Sequence, residues 1–288
     1  MSEKESPQQS SSNHRVTSDA VTDGLALSVA LATDLARAIE GDEFYLVYQP
    51  EIDLRTNGFA GVEALIRWRH PARGVISPKQ FIPLLESSGQ IVEVGNWALE
   101  TACNQGAEWH AKGYRFSVAV NTSAQQLRGL SFVADVTRLV STSGLNPSHL
   151  TLEFSYTTLA DHNILDHLAQ IRACGIRLAI DDFAPGQPDI GALAKIPVDI
   201  VKLDRNYVIE SKTSLQKQSQ IRQLVHDMRI LNLRIIASGV EDVNLRNQLQ
   251  DDQVDVGQGF LFARPFEVDE IDQFLKDFAL FSGRPLWN

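Results

Sequence analysis

The sequence predicts an α/β chain folded as a TIM-like (β/α)8 barrel, modified so that one strand runs antiparallel. Three observations carry this. About eight strand-like segments follow one another, helical patterns fill most of the gaps between them, and the alternation occupies roughly 250 residues, the size such a barrel needs. In addition, a tight turn at Thr56-Asn57-Gly58 joins the first two strands as a hairpin, which sets one strand against the rest. A doubly wound open sheet is the alternative, but no glycine-rich phosphate loop supports it.

The elements follow in order. Residues 1–24 are rich in Ser, Gln, Glu and Asn without apolar periodicity, and read as a disordered polar tail ahead of a barrel domain over 25–288. Leu27, Leu31, Leu35 and Ile39 mark one face of a helix ending near Gly41. Strands are expected at Phe44–Leu54, Phe59–Arg69, Phe116–Ser123, Leu150–Ser155, Arg177–Phe183, Ile200–Asp204, Arg234–Val240 and Val256–Phe262. Helices are expected at Pro78–Ser87, Gly95–Lys112, Ser131–Ser143, Asn163–Cys174, Leu215–Leu231, Val243–Asp251 and Val268–Phe278.

Composition narrows the function. A hydrophobic content of 43% with 22% charged residues is that of a soluble globular protein able to bury a sizeable core. The net charge of −10 argues against a nucleic-acid or anionic-membrane partner. An anionic ligand would need local Arg, Lys or metal ions. Cys103 and Cys174 form no metal or redox motif and read as small core residues in a reducing compartment. No apolar run reaches membrane-spanning length, and the polar, acidic N-terminus is unlike a secretory signal, so cytoplasmic residence is expected.

The polar residues gather at strand ends. Glu63 and Arg67 share one parity of an otherwise apolar strand, where a buried charge is costly unless it meets a metal, a counter-charge or a ligand. Asn121 closes the third strand, Glu153 lies on the fourth, and Asp181-Asp182 close the fifth. Lys202 and Asp204 follow on the sixth, Ser238 and Glu241 on the seventh, and Gln258 on the eighth. A barrel collects C-terminal strand ends at one mouth. Carboxylates with an amide oxygen there suit Mg²⁺ or Mn²⁺, and two such ions can clamp a phosphodiester. Each acid alone is more often a helix N-cap or a surface group than a ligand, and Lys202 read alone fits a buried partner of Asp204; the recurrence at consecutive strand ends is what points to a site.

Ordered motifs extend this reading: Tyr48-Gln49-Pro50, Glu63-Ala64-Leu65-Ile66-Arg67-Trp68 with His70-Pro71, Phe81-Ile82-Pro83, Val120-Asn121, Asp181-Asp182-Phe183, Lys202-Leu203-Asp204-Arg205, Gly239-Val240-Glu241 and Gln258-Gly259-Phe260. From about Leu35 to about Leu275 the chain resembles the EAL domain family of bacterial second-messenger signalling. That family binds cyclic di-GMP and, when active, linearises it to pGpG with Mg²⁺ or Mn²⁺. The resemblance implies that Glu63, Asn121, Glu153 and Asp181 hold a first metal, and Asp181 with Asp182 a second. It implies catalytic roles for Lys202, which aligns the attacking water, for Gln258, which steadies it, and for Glu241. Gln49, Glu63, Leu65, Arg67, Asp204 and Pro265 would contact the dinucleotide. A downstream protein partner and a homodimer are also compatible with it. Gly41-Asp42-Glu43-Phe44 resembles part of a diguanylate cyclase signature, but no cyclase-sized domain surrounds it, so it reads as a helix end and strand start.

Three positions depart from the family pattern. Ser238 stands where the resemblance places a metal-site acid and general base, and a serine carries no charge at neutral pH. Ser155-Tyr156 replaces the usual Thr-Glu, whose acid anchors the loop after the fifth strand. That loop reads Ala184-Pro185-Gly186-Gln187-Pro188-Asp189, and its prolines remove backbone donors. The family's second metal and dimer contact depend on this loop. The expectation is therefore a cyclic di-GMP receptor with impaired or absent hydrolysis; an active phosphodiesterase and a protein-interaction module are the alternatives.

Overall fold

The computed structural model describes residues 30–161, 163–184 and 190–282. The expected polar tail and Pro185–Asp189 of the altered loop lie outside the described residues. The chain divides into two compact units, one holding the segment up to Tyr45 with Arg67–Gln90, the other Leu46–Ile66 and everything from Ile91 on.

The first unit begins with helix α1 (residues 30–40), which buries Leu31 and Leu35. Strand β1 (Phe44–Asp53) starts here, and the end of strand β2 (Phe59–His70) pairs antiparallel with the short β3 (Gly74–Ile76). Helix α2 (Pro78–Ser88) follows, started by a proline in its first turn and stopped by left-handed Gly89. Phe44, Trp68 and Phe81 pack ring against ring at 5.6–5.8 Å. Glu43 accepts from the Trp68 indole at 2.8 Å and pairs with Arg37, so the cyclase-like tetrapeptide is a helix end and strand start, as its sequence context indicates.

The second unit holds the parallel strands. Its parallel strands are β4 (Ser117–Asn121), β5 (Leu150–Ser155), β6 (Arg177–Phe183), β7 (Ile200–Leu203), β8 (Arg234–Ser238) and β9 (Val256–Gln258). The strand order is β1-β9-β8-β7-β6-β5-β4-β2-β3, and a β1–β2 pairing closes eight strands on one another. β1 runs antiparallel to β9 while β2 runs parallel to β4, so β1 is the expected reversed strand. Its hairpin is held by Asp53, whose backbone N–H donates to Gly58 and whose carboxylate accepts from Thr56.

The intervening helices are α3 (Ile91–Ala111), α4 (Ala124–Arg128), α5 (Phe132–Ser143), α6 (Asn163–Ala173), α7 (Ile190–Leu193), α8 (Arg205–Ser211), α9 (Leu215–Ile230), α10 (Val243–Asp251) and α11 (Val268–Ser282). They turn Leu99, Leu139, Leu168, Val225, Leu249 and Leu275 onto the buried core. Five expected strands are shorter in the structure: the first stops at Asp53, the third covers Ser117–Asn121, the sixth stops at Leu203, the seventh at Ser238 rather than Val240, and the eighth at Gln258 rather than Phe262. There the Leu261 N–H bonds to the Val240 carbonyl, which turns the chain out of the sheet.

Candidate functional site

Strand register explains why distant acids meet. Glu63 is level with Ala119, two residues before Asn121, and Asn121 is level with Glu153. Glu153 is level with Ala179, two residues before Asp181. Even offsets keep side chains on one face of a sheet, so these donors share the barrel interior. Lys202 joins them from β7 and Gln258 from β9.

Lys202 is the centre. It is only 1% exposed, and its Nζ donates to Glu63 Oε2 at 2.9 Å and to Glu153 Oε2 at 2.7 Å. The sequence alternative that pairs it with Asp204 does not hold; Asp204 caps α8 by accepting from the Tyr207 N–H at 2.8 Å. Glu63 also accepts from Asn121 Nδ2 at 2.7 Å and Gln258 Nε2 at 2.8 Å. Glu153 is fully buried, and its Oε1 has no hydrogen-bond partner among the described residues.

The two acids on this ammonium titrate in opposite directions. Burial would raise the Glu63 carboxyl, but Lys202 and the hydrogen bonds from Gln258 and Asn121 outweigh it and hold it below its usual range. Burial pushes Glu153 well above that range, against the pull of Lys202, and the neighbouring acids Glu63, Asp181 and Glu51 add to the rise. Burial would lower the Lys202 ammonium, yet Glu153, Glu63, Asp181 and Glu51 together hold it far above its usual value. A lysine so placed is fixed in its charged form. Asp181 and Asp182 are both pushed up, mainly by burial.

The β6–β8 side is built differently. Asp182 sits at φ 53°, left-handed, where the β6–β7 register slips, and its N–H bonds to Asp181 Oδ1 at 2.8 Å. Such strain in a non-glycine residue concentrates at functional sites. Ser238 is level with Gln258, but its Oγ reaches the Gln258 amide oxygen only at 3.5 Å. Glu241 lies on the exposed surface in an ion pair with Arg205 at 2.6 Å, outside the buried network. Tyr156, standing where the family has an anchoring acid, lays its ring edge-on to Phe183 at the end of β6. Gln49 donates to the Ala263 carbonyl at 3.4 Å; Leu65, Pro265 and, in the first unit, Arg67 are half-buried.

Glu51 is absent from the sequence-derived candidates. It is level with Gln258, 6% exposed, with an Oε1 unpartnered among the described residues and a carboxyl raised by burial against the pull of Lys202. It shares the strand parity of Gln49, the same signal that singled out Glu63.

Among the described residues no three His, Cys, Asp or Glu side chains are already grouped to hold a metal ion. The donor chemistry nevertheless fits a hard divalent cation: every candidate offers oxygen, and Glu153 Oε1 is buried without a partner. What fills the space between Glu63 and Glu153 here is the Lys202 ammonium. Among the described residues no helix is long and apolar enough to cross a membrane.

Comparison with known proteins agrees with this geometry. The family described as "EAL domain" matches residues 32–265. The chain is 34% identical over 249 residues to Cyclic di-GMP phosphodiesterase PA2567 of Pseudomonas aeruginosa, covering 85% of the chain and 42% of that protein. It is 33% identical over 258 residues to Cyclic di-GMP phosphodiesterase NbdA of the same organism, covering 88% and 33%. It thus spans well under half the length of these relatives. Among solved structures, the PaMucR phosphodiesterase in its c-di-GMP complex superposes with a TM-score of 0.81 at 35% identity, covering 84% of this chain and 99% of that one. The EAL enzyme Bd1971 with cAMP and cyclic-di-GMP bound superposes at 0.82 with 25% identity, covering 91% and 72%. By motif order, barrel topology and these likenesses, the chain belongs to the EAL domain family.

Proposed function

We propose that this barrel binds cyclic di-GMP together with a divalent cation and hydrolyses it weakly or not at all. The observation that carries the reading is Ser238, a neutral hydroxyl beside Gln258 where the family pattern has an acid. Around it, Glu63, Asn121, Glu153, Lys202 and Gln258 keep a connected network. Glu63, Asn121, Glu153 and Asp181 would hold Mg²⁺ or Mn²⁺, and Asp181 with Asp182 a second ion. A bound cation there would offset phosphodiester charge and acidify water. Lys202 would orient that water and Gln258 steady it, but at Ser238 no carboxylate would take its proton. Gln49, Leu65, Arg67, Asp204 and Pro265 would contact the dinucleotide, and Glu241 would act from the rim. The proposed setting is cytoplasmic, with a downstream protein or a second copy receiving the signal.

An active phosphodiesterase is the second reading, favoured by the retained Asp181, Asp182 and Lys202 and by the names of the relatives. Calorimetric titration with cyclic di-GMP, with and without Mg²⁺, tests the first. Binding that Glu63→Ala abolishes supports it, and no binding in either buffer overturns it. Chromatographic detection of Mg²⁺-dependent pGpG would move the protein to the second reading.

A further inference from the structure

Glu51, Gln258 and Ser238 stand in one row across β1, β9 and β8. Residues level with one another on neighbouring strands face the same side of a sheet. The row therefore lacks an acid on β8 and carries one on β1. Glu51 is buried, its Oε1 has no partner among the described residues, and glycine makes room for it: a Cβ at Gly61 would lie 3.3 Å from Glu51 Oε2 and 2.7 Å from the Ser117 carbonyl.

Cation binding at the proposed carboxylates would leave Lys202 without its partners. Its two acceptors, Glu63 and Glu153, are the carboxylates proposed to hold a cation. A buried ammonium stripped of its acceptors is strongly unfavourable, so a cation can take those carboxylates only if Lys202 finds another counter-charge. Asp181 does not supply it, being a proposed ligand whose Oδ1 already accepts from Asp182. Glu51 has an uncommitted oxygen and already interacts electrostatically with Lys202.

We propose that Glu51 is the standby counter-ion of Lys202, receiving its ammonium when Glu63 and Glu153 engage a divalent cation. Glu51 is thus a positioning residue: it touches neither ligand nor cation and acts through Lys202. The inference rests on the cation-binding reading above.

The test is Mn²⁺ titration of the full chain without nucleotide, followed by the electron paramagnetic resonance of free Mn²⁺. Glu51→Gln keeps the shape and removes the charge. It should weaken Mn²⁺ binding by about 10- to 100-fold, the effect typical of a group that supports metal ligands. Glu51→Asp should stay close to wild type. In a Lys202→Met background no ammonium needs a partner, and Glu51→Gln should change Mn²⁺ affinity little. Equal Mn²⁺ binding by wild type and Glu51→Gln overturns the inference and leaves the cation reading standing. An equal loss in both backgrounds also overturns it, since Glu51 would then act independently of Lys202. A wild type that binds no Mn²⁺ fails the cation reading and takes this inference with it.

Discussion

The two sides of the barrel interior differ in how firmly their polar groups are held. On β2, β4 and β5, Glu63 accepts from Asn121 and from Lys202, and Lys202 also donates to Glu153, by bonds of 2.7–2.9 Å. On β6 and β8, Asp182 is strained, Ser238 makes one long contact, and the end of β6 meets, through Phe183, the aromatic ring of Tyr156 that follows β5. On the proposed function, the firmly held side is the one that holds a charged ligand and the altered side is the one that would have to cut it. Each of the following perturbations tries one side.

The largest effect is expected at Lys202. Lys202→Met removes the ammonium shared by two buried acids and should cost about 3–5 kcal/mol of stability in urea unfolding. A near-neutral result would mean that Glu63 and Glu153 are comfortable unpaired, and the firm side would not be firm. On the altered side, Ser238→Glu should raise pGpG formation by about 10²–10⁴-fold, the usual contribution of a general base. No gain would locate the defect in the Ala184–Asp189 loop instead. A smaller effect is expected at Asp182, where glycine tolerates the left-handed φ. Asp182→Gly should stabilise the fold by up to about 1 kcal/mol while removing a proposed ligand. A loss of stability would make that carboxylate structural.

The smallest effect lies away from both sides. His149 and His110 share the Phe116 carbonyl, and burial, with the neighbouring His110, holds the His149 imidazole below its usual 6.5. Because the unfolded chain takes up this proton first, stability is complete above about pH 6.5 and falls as pH drops through that value toward the lower folded pKa. His149→Gln should flatten the slope of unfolding midpoint against pH between about 7.5 and 5.5. An unchanged slope would assign it to other groups.

Much of this was legible in the sequence because the inner strands are continuous apolar runs with clear ends. Leu150–Ser155 and Arg177–Phe183 have the expected bounds. The hairpin turn revealed the reversed strand, and strand parity placed Glu63, Asn121 and Glu153 inside. Other features depend on tertiary geometry. The three-residue β3 is too short to leave a periodicity. β9 ends early because a Cβ at Gly259 would lie 2.1 Å from the Val240 carbonyl, a close approach no sequence pattern announces. The left-handed Asp182 follows from the β6–β7 slip, and Lys202's choice of Glu63 and Glu153 over Asp204 from barrel closure. Glu51 carried a usable signal in its parity with Gln49.

The central claim is that the site holds cyclic di-GMP better than it cuts it. Equilibrium dialysis of the full chain against cyclic di-GMP and Mn²⁺, followed by chromatography of the retained nucleotide, tests it most directly. The account expects intact cyclic di-GMP retained by the wild type and lost in Glu63→Ala. Conversion of the nucleotide to pGpG, or no retention at all, would contradict it.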